Sequence, residues 1–503
     1  MGDSTQTKNV DVCIVGGGPA GLTAAYLLLK KGLSCVVLES DPVYVGGISR
    51  SHRYKGYLLD IGGHRFFSKW KEAEDIWSDI LPDDMLTCSR MSRILYRGHF
   101  FNYPFSPFDA LSKLGLRESL LCALSYLKER LSFSRKEPEN FEEWVVRAFG
   151  RRFFEIFFKT YTEKVWGMDC RDISRDWASQ RIKPFSVLEM LKNIVSGNSQ
   201  TSLQNTFRYP RKGPGMMWEK MAEKINSMDG GEILMGRRAE GYELKDGMWH
   251  TTYTTANGEG GQNQTGGGQI ISKNIICSAP LGKTVPLIKP ALDSTASANS
   301  LKYRDYLICA LIFRENREIL PDHWVYVHDP NVSFVRMQNY RAWSPDLVPV
   351  PGTNCWGLEY FCFEGDGTWN MPDHEIIETA KREIVETGLL RPEDIIDGCV
   401  VRQPKAYPVY DGDYKLHVSK IRDELEKKAP GFYPVGRNGL HLYNNQDHSM
   451  MTALLTVNGI ISGESANPWE LMHQDTEYSE SASGGSRIAS SVSGERYVPR
   501  RES

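Results

Sequence analysis

Residues 11–40 read DVCIVGGGPAGLTAAYLLLKKGLSCVVLES. The apolar run Asp11–Val15 predicts a short strand, Leu22–Lys31 a helix and Ser34–Leu38 a second strand, so the stretch closes as a βαβ unit. Strand and helix are joined by Gly16-Gly17-Gly18-Pro19-Ala20-Gly21, a GxGxxG turn. Gly16 permits the tight turn, Gly18 lets the backbone approach a pyrophosphate, and Gly21 lets helix and strand pack closely. Pro19 and Ala20 sit at the helix N-terminus, where the positive end of the dipole faces the phosphates. Glu39 ends the second strand, where a carboxylate bonds a ribose hydroxyl. A glycine-rich loop without a ligand is the competing reading. Strand, helix and terminal acid falling in register favour a dinucleotide site.

The chain around this unit has 503 residues, enough for two or three structural units. Its composition is ordinary for a soluble protein, with 41% hydrophobic and 24% charged residues. A net charge of −3 favours neither bulk nucleic-acid binding nor an anionic membrane, so any anion site must be local. Ten scattered cysteines lack CxxC or metal-like spacing; no metal is expected, and reduced thiols fit a cytoplasmic protein. No apolar run reaches the length of a membrane span. Residues 1–8 read as a polar lead, and a core strand within the first dozen residues argues against a signal peptide.

The fold class expected is α/β: a Rossmann-like dinucleotide-binding domain, a mostly helical insertion and a mixed β-sheet substrate domain. The first unit takes residues 1–70 with about 231–300 and 400–475, the insertion 71–230 and the substrate domain 301–399. Helical periodicity at 107–132 and 141–160 supports the insertion. Residues 256–268 read as a surface loop, and 476–503 as a disordered Ser/Gly-rich tail.

Two further glycine pairs follow Glu39: Gly46-Gly47-Ile48-Ser49-Arg50 and Gly62-Gly63-His64. They place backbone close against an extended ligand. Near the other end come Gly436-Arg437-Asn438-Gly439 and Asn445-Gln446-Asp447-His448-Ser449, the latter opening an apolar helix. Together these runs resemble the FAD superfamily of amine oxidases, protoporphyrinogen oxidases and phytoene desaturases, which implies FAD as cofactor.

A narrower resemblance rests on YTEKVWG, residues 161–167, with Arg181 fifteen positions after Trp166. This stretch resembles the signature of UDP-galactopyranose mutases. Several positions extend the likeness: Phe157 where that family stacks uracil, His64 in its flavin-facing loop, and Trp324-Val325-Tyr326 followed by Arg336. The family's sugar-diphosphate tyrosines match Tyr407 and Tyr443, while Tyr103 and Tyr161 fall in its substrate segments. Arg437, Asn445 and Gln446 match its closing FAD motif, which ends near Ser449. The pattern departs at Ser106, where eukaryotic mutases place glutamine, and the GRNG-to-NNQDHS segment is shorter than in fungal mutases.

The resemblance implies a nucleotide-sugar substrate and exchange of pyranose and furanose rings without net redox. Reduced FAD N5 is the implied nucleophile at the anomeric carbon, with NAD(P)H or another reductant for activation. Arg181 and Arg336 are the implied cations on the diphosphate, since a guanidinium binds two phosphate oxygens at once. The same resemblance implies that His64 orients or polarises the flavin. Each residue has a plainer reading. Trp166 fits a helix interface, and Arg181 lies in a charge run with Arg171, Arg175 and Lys183. The alternative activity is an FAD oxidoreductase of the amine oxidase, protoporphyrinogen oxidase or phytoene desaturase type. Oligomeric state is not legible.

Overall fold

The computed structural model describes residues 6–103, 107–131, 137–175, 206–256, 266–315, 320–464 and 467–474. Residues 257–265 of the loop expected at 256–268, the expected 476–503 tail, Ser106 and Arg181 lie outside the described residues.

Two large sheets organise the described residues. The first is built on β1 (Gln6–Val15), which pairs in parallel with β2 (Cys35–Glu39) on one side and β12 (Gly268–Cys277) on the other. Strand β9 (Gly231–Met235) extends it beyond β2, and β19 (Phe432–Pro434) pairs in parallel with the end of β12. An antiparallel pair, β10 (Arg237–Lys245) and β11 (Met248–Thr255), adds to the start of β12, and β13 (Ile288–Lys289) closes the edge.

Helix α1 (Pro19–Lys30) connects β1 to β2. Its buried Leu22, Ala25, Leu28 and Leu29 join Val12, Ile14 and Val37 of the sheet in one core. Fully burying each of the Leu, Val and Ile side chains stabilises by about 1.5–3 kcal/mol.

The second sheet runs β18 (Ile395–Pro408), β14 (Tyr303–Arg314), β17 (Thr353–Cys362), β16 (Arg336–Asn339), β15 (Trp324–Val327), β6 (Ser92–Tyr96), β7 (His99–Asn102). Every residue of β17 is buried. Ile376, Ala380 and Ile384 of the helix Asp373–Glu386 cover Leu307, Leu311 and Leu358 on one face. Two small ladders complete the strands: β3 (Ser51–Tyr54) with β4 (Tyr57–Asp60), and β5 (Met85–Ser89) with β8 (Thr206–Pro210).

The insertion carries helices α2 (Lys71–Ile80), α3 (Pro107–Leu114), α4 (Leu116–Leu131), α5 (Phe141–Phe149) and α6 (Thr160–Trp166). Just before α6, residues Glu155–Lys159 open into one π turn. Helix α7 (Pro214–Ser227) instead packs through Met217, Trp218 and Met221 into the core beneath α1.

The structure departs from the sequence reading in three places. Strand β1 starts at Gln6, inside the expected polar lead, because its first residues pair with the long β12. Residues 71–230 are not only helical: β6 and β7 complete the second sheet, where β6 pairs with β15. Residues 395–408 fall in that sheet too, pairing along β14, although 400–475 were expected in the first unit.

Candidate active site

The dinucleotide end is shaped by where side chains are forbidden. Gly16 takes φ +98°, and a Cβ on Gly21 would lie 1.9 Å from Gly16 O. Gly18 differs: the nearest atom to a Cβ there is Gly47 Cα at 3.9 Å, so a gap separates the two turns. Gly18 is also the N-cap of α1, offers no side-chain cap, and is followed by no acid in the first turn. The first N–H groups of α1 therefore suit an anion.

Gly46 N donates to Gly17 O at 2.8 Å, fixing the second turn to the first. Arg50 donates to Gly47 O at 2.9 Å and to Gln403, while its buried Nε has no protein partner. Glu39 is buried and accepts from Gly17 N and Asp41 N, both at 2.7 Å. Burial pushes its carboxyl up, and the two N–H donors oppose that shift.

A second helix start closes the other side. Gly436 takes φ +72°, and a Cβ there would meet Ala20 Cβ at 3.0 Å. The GRNG turn thus seats on the first turn of α1. Asn445 caps helix α10 (Gln446–Ser462) without a side-chain hydrogen bond; helices α8 (Asp373–Glu386) and α9 (Tyr414–Lys428) precede it. Gln446 donates to Arg65 O at 3.2 Å, but its Oε1 and Asn438 Oδ1 are buried without protein partners. Ser449 instead donates to Asn444 at 2.8 Å. The gap at Gly18, the unpartnered Arg50 Nε and the orphan acceptors fit an extended dinucleotide lying between the two helix starts.

His64 joins this region to the second sheet. Its Nε2 lies 3.0 Å from both Ile48 O and Ile61 O, and two carbonyls there require a donor. Nδ1 is then the acceptor facing Ser49 Oγ at 3.4 Å. Burial first, then the Arg437 charge, push its pKa from 6.5 down to about 4. The imidazole is therefore neutral near pH 7. Its contribution to stability is fully present above 6.5 and lost as pH falls toward about 4. A histidine NMR titration should show no His64 protonation near pH 6.5; a midpoint there would mean a solvated ring.

Beside it, Gly63 makes room for an aromatic wall, since a Cβ would lie 2.4 Å from the Trp324 ring. Trp324 is parallel to Tyr326 at 5.9 Å, and Tyr326 meets Tyr103 at 4.5 Å and the edge of Tyr161 at 5.9 Å. Tyr161 in turn stacks on His328 at 4.7 Å.

Arg336 sits in this wall. Its guanidinium lies 5.0 Å from the Trp324 ring and 4.8 Å from Phe361. Its Nε is ion-paired with Glu359, the residue directly across the β16–β17 ladder. Its Nη2 donates to Tyr407 Oη at 3.2 Å. Glu359 is fully buried and also accepts from Gln338 at 2.9 Å. Burial opposes the charge on Arg336, but Glu359 outweighs it and keeps the guanidinium protonated. Tyr407 stacks on Tyr443 at 5.6 Å. Arg437 lies 4.7 Å from the Tyr443 ring while donating to Ala406 O and Asn444 O.

The structure thus gathers His64, Tyr103, Tyr161, Trp324, Tyr326, Arg336, Tyr407 and Tyr443 along one contiguous surface. Two expected substrate residues do not present themselves there. Phe157 is 2% exposed and enclosed by Tyr96, Phe101 and Phe153, so neither ring face is open to a base. Trp166 is buried with Phe141, Cys170 and Ile173 and lies parallel to Tyr410, which is helix packing. Sequence reasoning missed Glu359, Gln338 and Arg50. Glu359 had a signal, being the one charge inside the apolar run 354–363. Among the described residues no His/Cys/Asp/Glu cluster suits a metal, and all ten cysteines are unpaired.

Comparison with known proteins bears on the fold. Residues 14–80 match the NAD(P)-binding Rossmann-like domain family. Two curated relatives are similar over about a third of the chain. A probable UDP-galactopyranose mutase from Klebsiella pneumoniae is 26% identical over 165 residues, 32% of this chain and 42% of that protein. A dTDP-fucopyranose mutase from Escherichia coli is 23% identical over 172 residues, 32% and 43% respectively. The chain thus matches less than half the length of either.

Among solved structures, reduced UDP-galactopyranose mutase superposes with a TM-score of 0.79 at 23% identity, covering 92% of this chain and 98% of its own. A putative protoporphyrinogen oxidase from Exiguobacterium sp. gives 0.66 at 17% identity, covering 92% and 100%. The chain has the fold of UDP-galactopyranose mutase, a fold it also shares with the putative protoporphyrinogen oxidase, and carries a Rossmann-like dinucleotide-binding domain.

Proposed function

We propose that this chain is an FAD-dependent nucleotide-sugar mutase, interconverting pyranose and furanose rings with no net oxidation. The observation that carries the reading is Arg336: a charged guanidinium, fixed by a fully buried carboxylate, in an aromatic wall contiguous with the dinucleotide site. Reduced FAD supplies, when bound, electron density for covalent catalysis at carbon. The chain's own residues handle the leaving group. Glu359 takes Arg336 Nε and Tyr407 takes one Nη2 hydrogen, so the remaining guanidinium hydrogens are available to a diphosphate. A cation already in place needs no reorganisation as the anomeric bond to diphosphate breaks. Tyr407 and Tyr443 offer hydroxyls beside it, and Tyr103, Tyr161 and Tyr326 offer rings to the nucleoside and sugar. Arg181 is the proposed second cation.

An amine oxidase reading shares the fold, but a protonated amine would meet Arg336 and Arg437 with like charge. The relatives' names add UDP- and dTDP-linked sugars as the first substrates to try. The test incubates oxidised and dithionite-reduced protein with UDP- and dTDP-pyranoses and follows ring isomers by chromatography. Only the reduced protein should turn over, many times per reducing equivalent. Isomerisation of none of them, with oxygen consumed in step with product from an amine or polyene, would reject the proposal.

A further inference from the structure

Helix α4 presents an apolar stripe to the outside. Leu116, Leu120, Leu124, Leu127 and Leu131 recur every three or four residues, and all five are exposed, Leu116 to 93%. At about 100° per residue they fall within an arc of roughly 80°. Arg117 and Lys128 follow on one side of that arc and Arg130 on the other, all exposed. The helix's two acids point elsewhere. Glu118 is half-buried and ion-paired with Arg152 at 2.8 Å, and Glu129 is partly buried. The inner face is packed independently, with Cys122 against Phe153, Ile156 and Phe157. The leucines are therefore not needed to hold the helix in place.

We infer that α4 is a peripheral docking face for an anionic lipid surface. The apolar stripe would enter the headgroup boundary, and the flanking basic side chains would reach back to lipid phosphates or carboxylates. Charge selects this occupant. Two copies packing stripe to stripe would bring Arg117, Lys128 and Arg130 of each against those of the other. A negative surface meets basic residues on both flanks and no exposed acid from the helix. The overall charge of −3 conceals this local patch of opposite sign. The mode is superficial, since no described helix is long and apolar enough to cross a membrane.

The test floats the full chain with vesicles of phosphatidylcholine alone and of phosphatidylcholine mixed with phosphatidylserine. Binding is expected to the anionic vesicles and to weaken with salt. Leu120→Ser/Leu124→Ser/Leu127→Ser should abolish it. Replacing Arg117, Lys128 and Arg130 with glutamine should weaken partitioning about fivefold per residue. Circular dichroism on each variant checks that the fold is retained. No binding to anionic vesicles overturns the inference. So does binding that survives the serine substitutions. If the wild-type chain fails to float and the serine variant converts a dimer to a monomer in sedimentation, the face belongs to a second copy. If it fails to float and the substitutions lower the monomer's melting temperature, another segment of the chain covers the stripe.

Discussion

Arg336→Ala is expected to lose both turnover and stability, and the two losses separate in a second variant. Removing the guanidinium leaves Glu359 fully buried and facing no cation. Breaking a buried pair in this way costs about 3–5 kcal/mol, a large share of the roughly 5–15 kcal/mol that holds a domain folded. Burial already pushes the Glu359 carboxyl up, and losing Arg336 pushes it further. A raised folded-state pKa contributes stability that is fully present below the ordinary carboxylate value and lost as pH rises through the folded value. The variant's deficit in denaturant melts should therefore shrink in acid and grow toward alkaline pH. Adding Glu359→Gln replaces the stranded charge with a neutral amide and should restore most of the stability. It should not restore turnover, which falls by about 10²–10³ when a fixed electrostatic stabiliser is lost. Recovery of both in the double variant would reduce Arg336 to a structural role.

Gly18→Ala and Gly21→Ala should fail in different ways. At Gly21 the new methyl would lie 1.9 Å from a backbone carbonyl, which cannot rotate aside. Helix α1 must then move off β1, and both folded yield and bound cofactor are lost. At Gly18 the backbone is extended, with φ −81°, and the methyl meets nothing closer than Gly47 Cα at 3.9 Å, an ordinary contact. Alanine fits the protein there but fills the gap assigned to the diphosphate. The Gly18→Ala protein should melt like wild type without cofactor, yet bind FAD at least about tenfold more weakly, as for one lost charge-assisted contact. Yellow, fully loaded Gly18→Ala protein would place the dinucleotide elsewhere.

What the sequence disclosed follows from how locally each feature is determined. The glycines at 16 and 21 were readable because each answers a backbone constraint or a close approach within a few residues. The pairing of Arg336 with Glu359 was not, because it depends on the register between β16 and β17. Residues 354–363 can be read as an apolar run, but Arg336–Asn339 cannot, and nothing in either segment fixes which residues face each other. Phe157 failed for a different reason. Its spacing from Trp166 matched a family position, but one π turn at Glu155–Lys159 accompanies a ring turned into the core. Residues 400–408 were placed with the first unit because a strand's composition does not tell which sheet it joins.

The central position of β1 also has a consequence for how the chain is made. Its partner β12 begins about 260 residues later, and α10, which packs on α1, ends later still. At about 5–20 residues per second, a ribosome delivers β12 roughly 13–50 s after β1 emerges. During that interval β1 is paired with β2 on one edge only, and the face of α1 that meets α10 stays uncovered. The first βαβ unit therefore exposes apolar surface during synthesis, and truncated translation products are expected to be cleared or to aggregate rather than persist as a small dinucleotide-binding fragment.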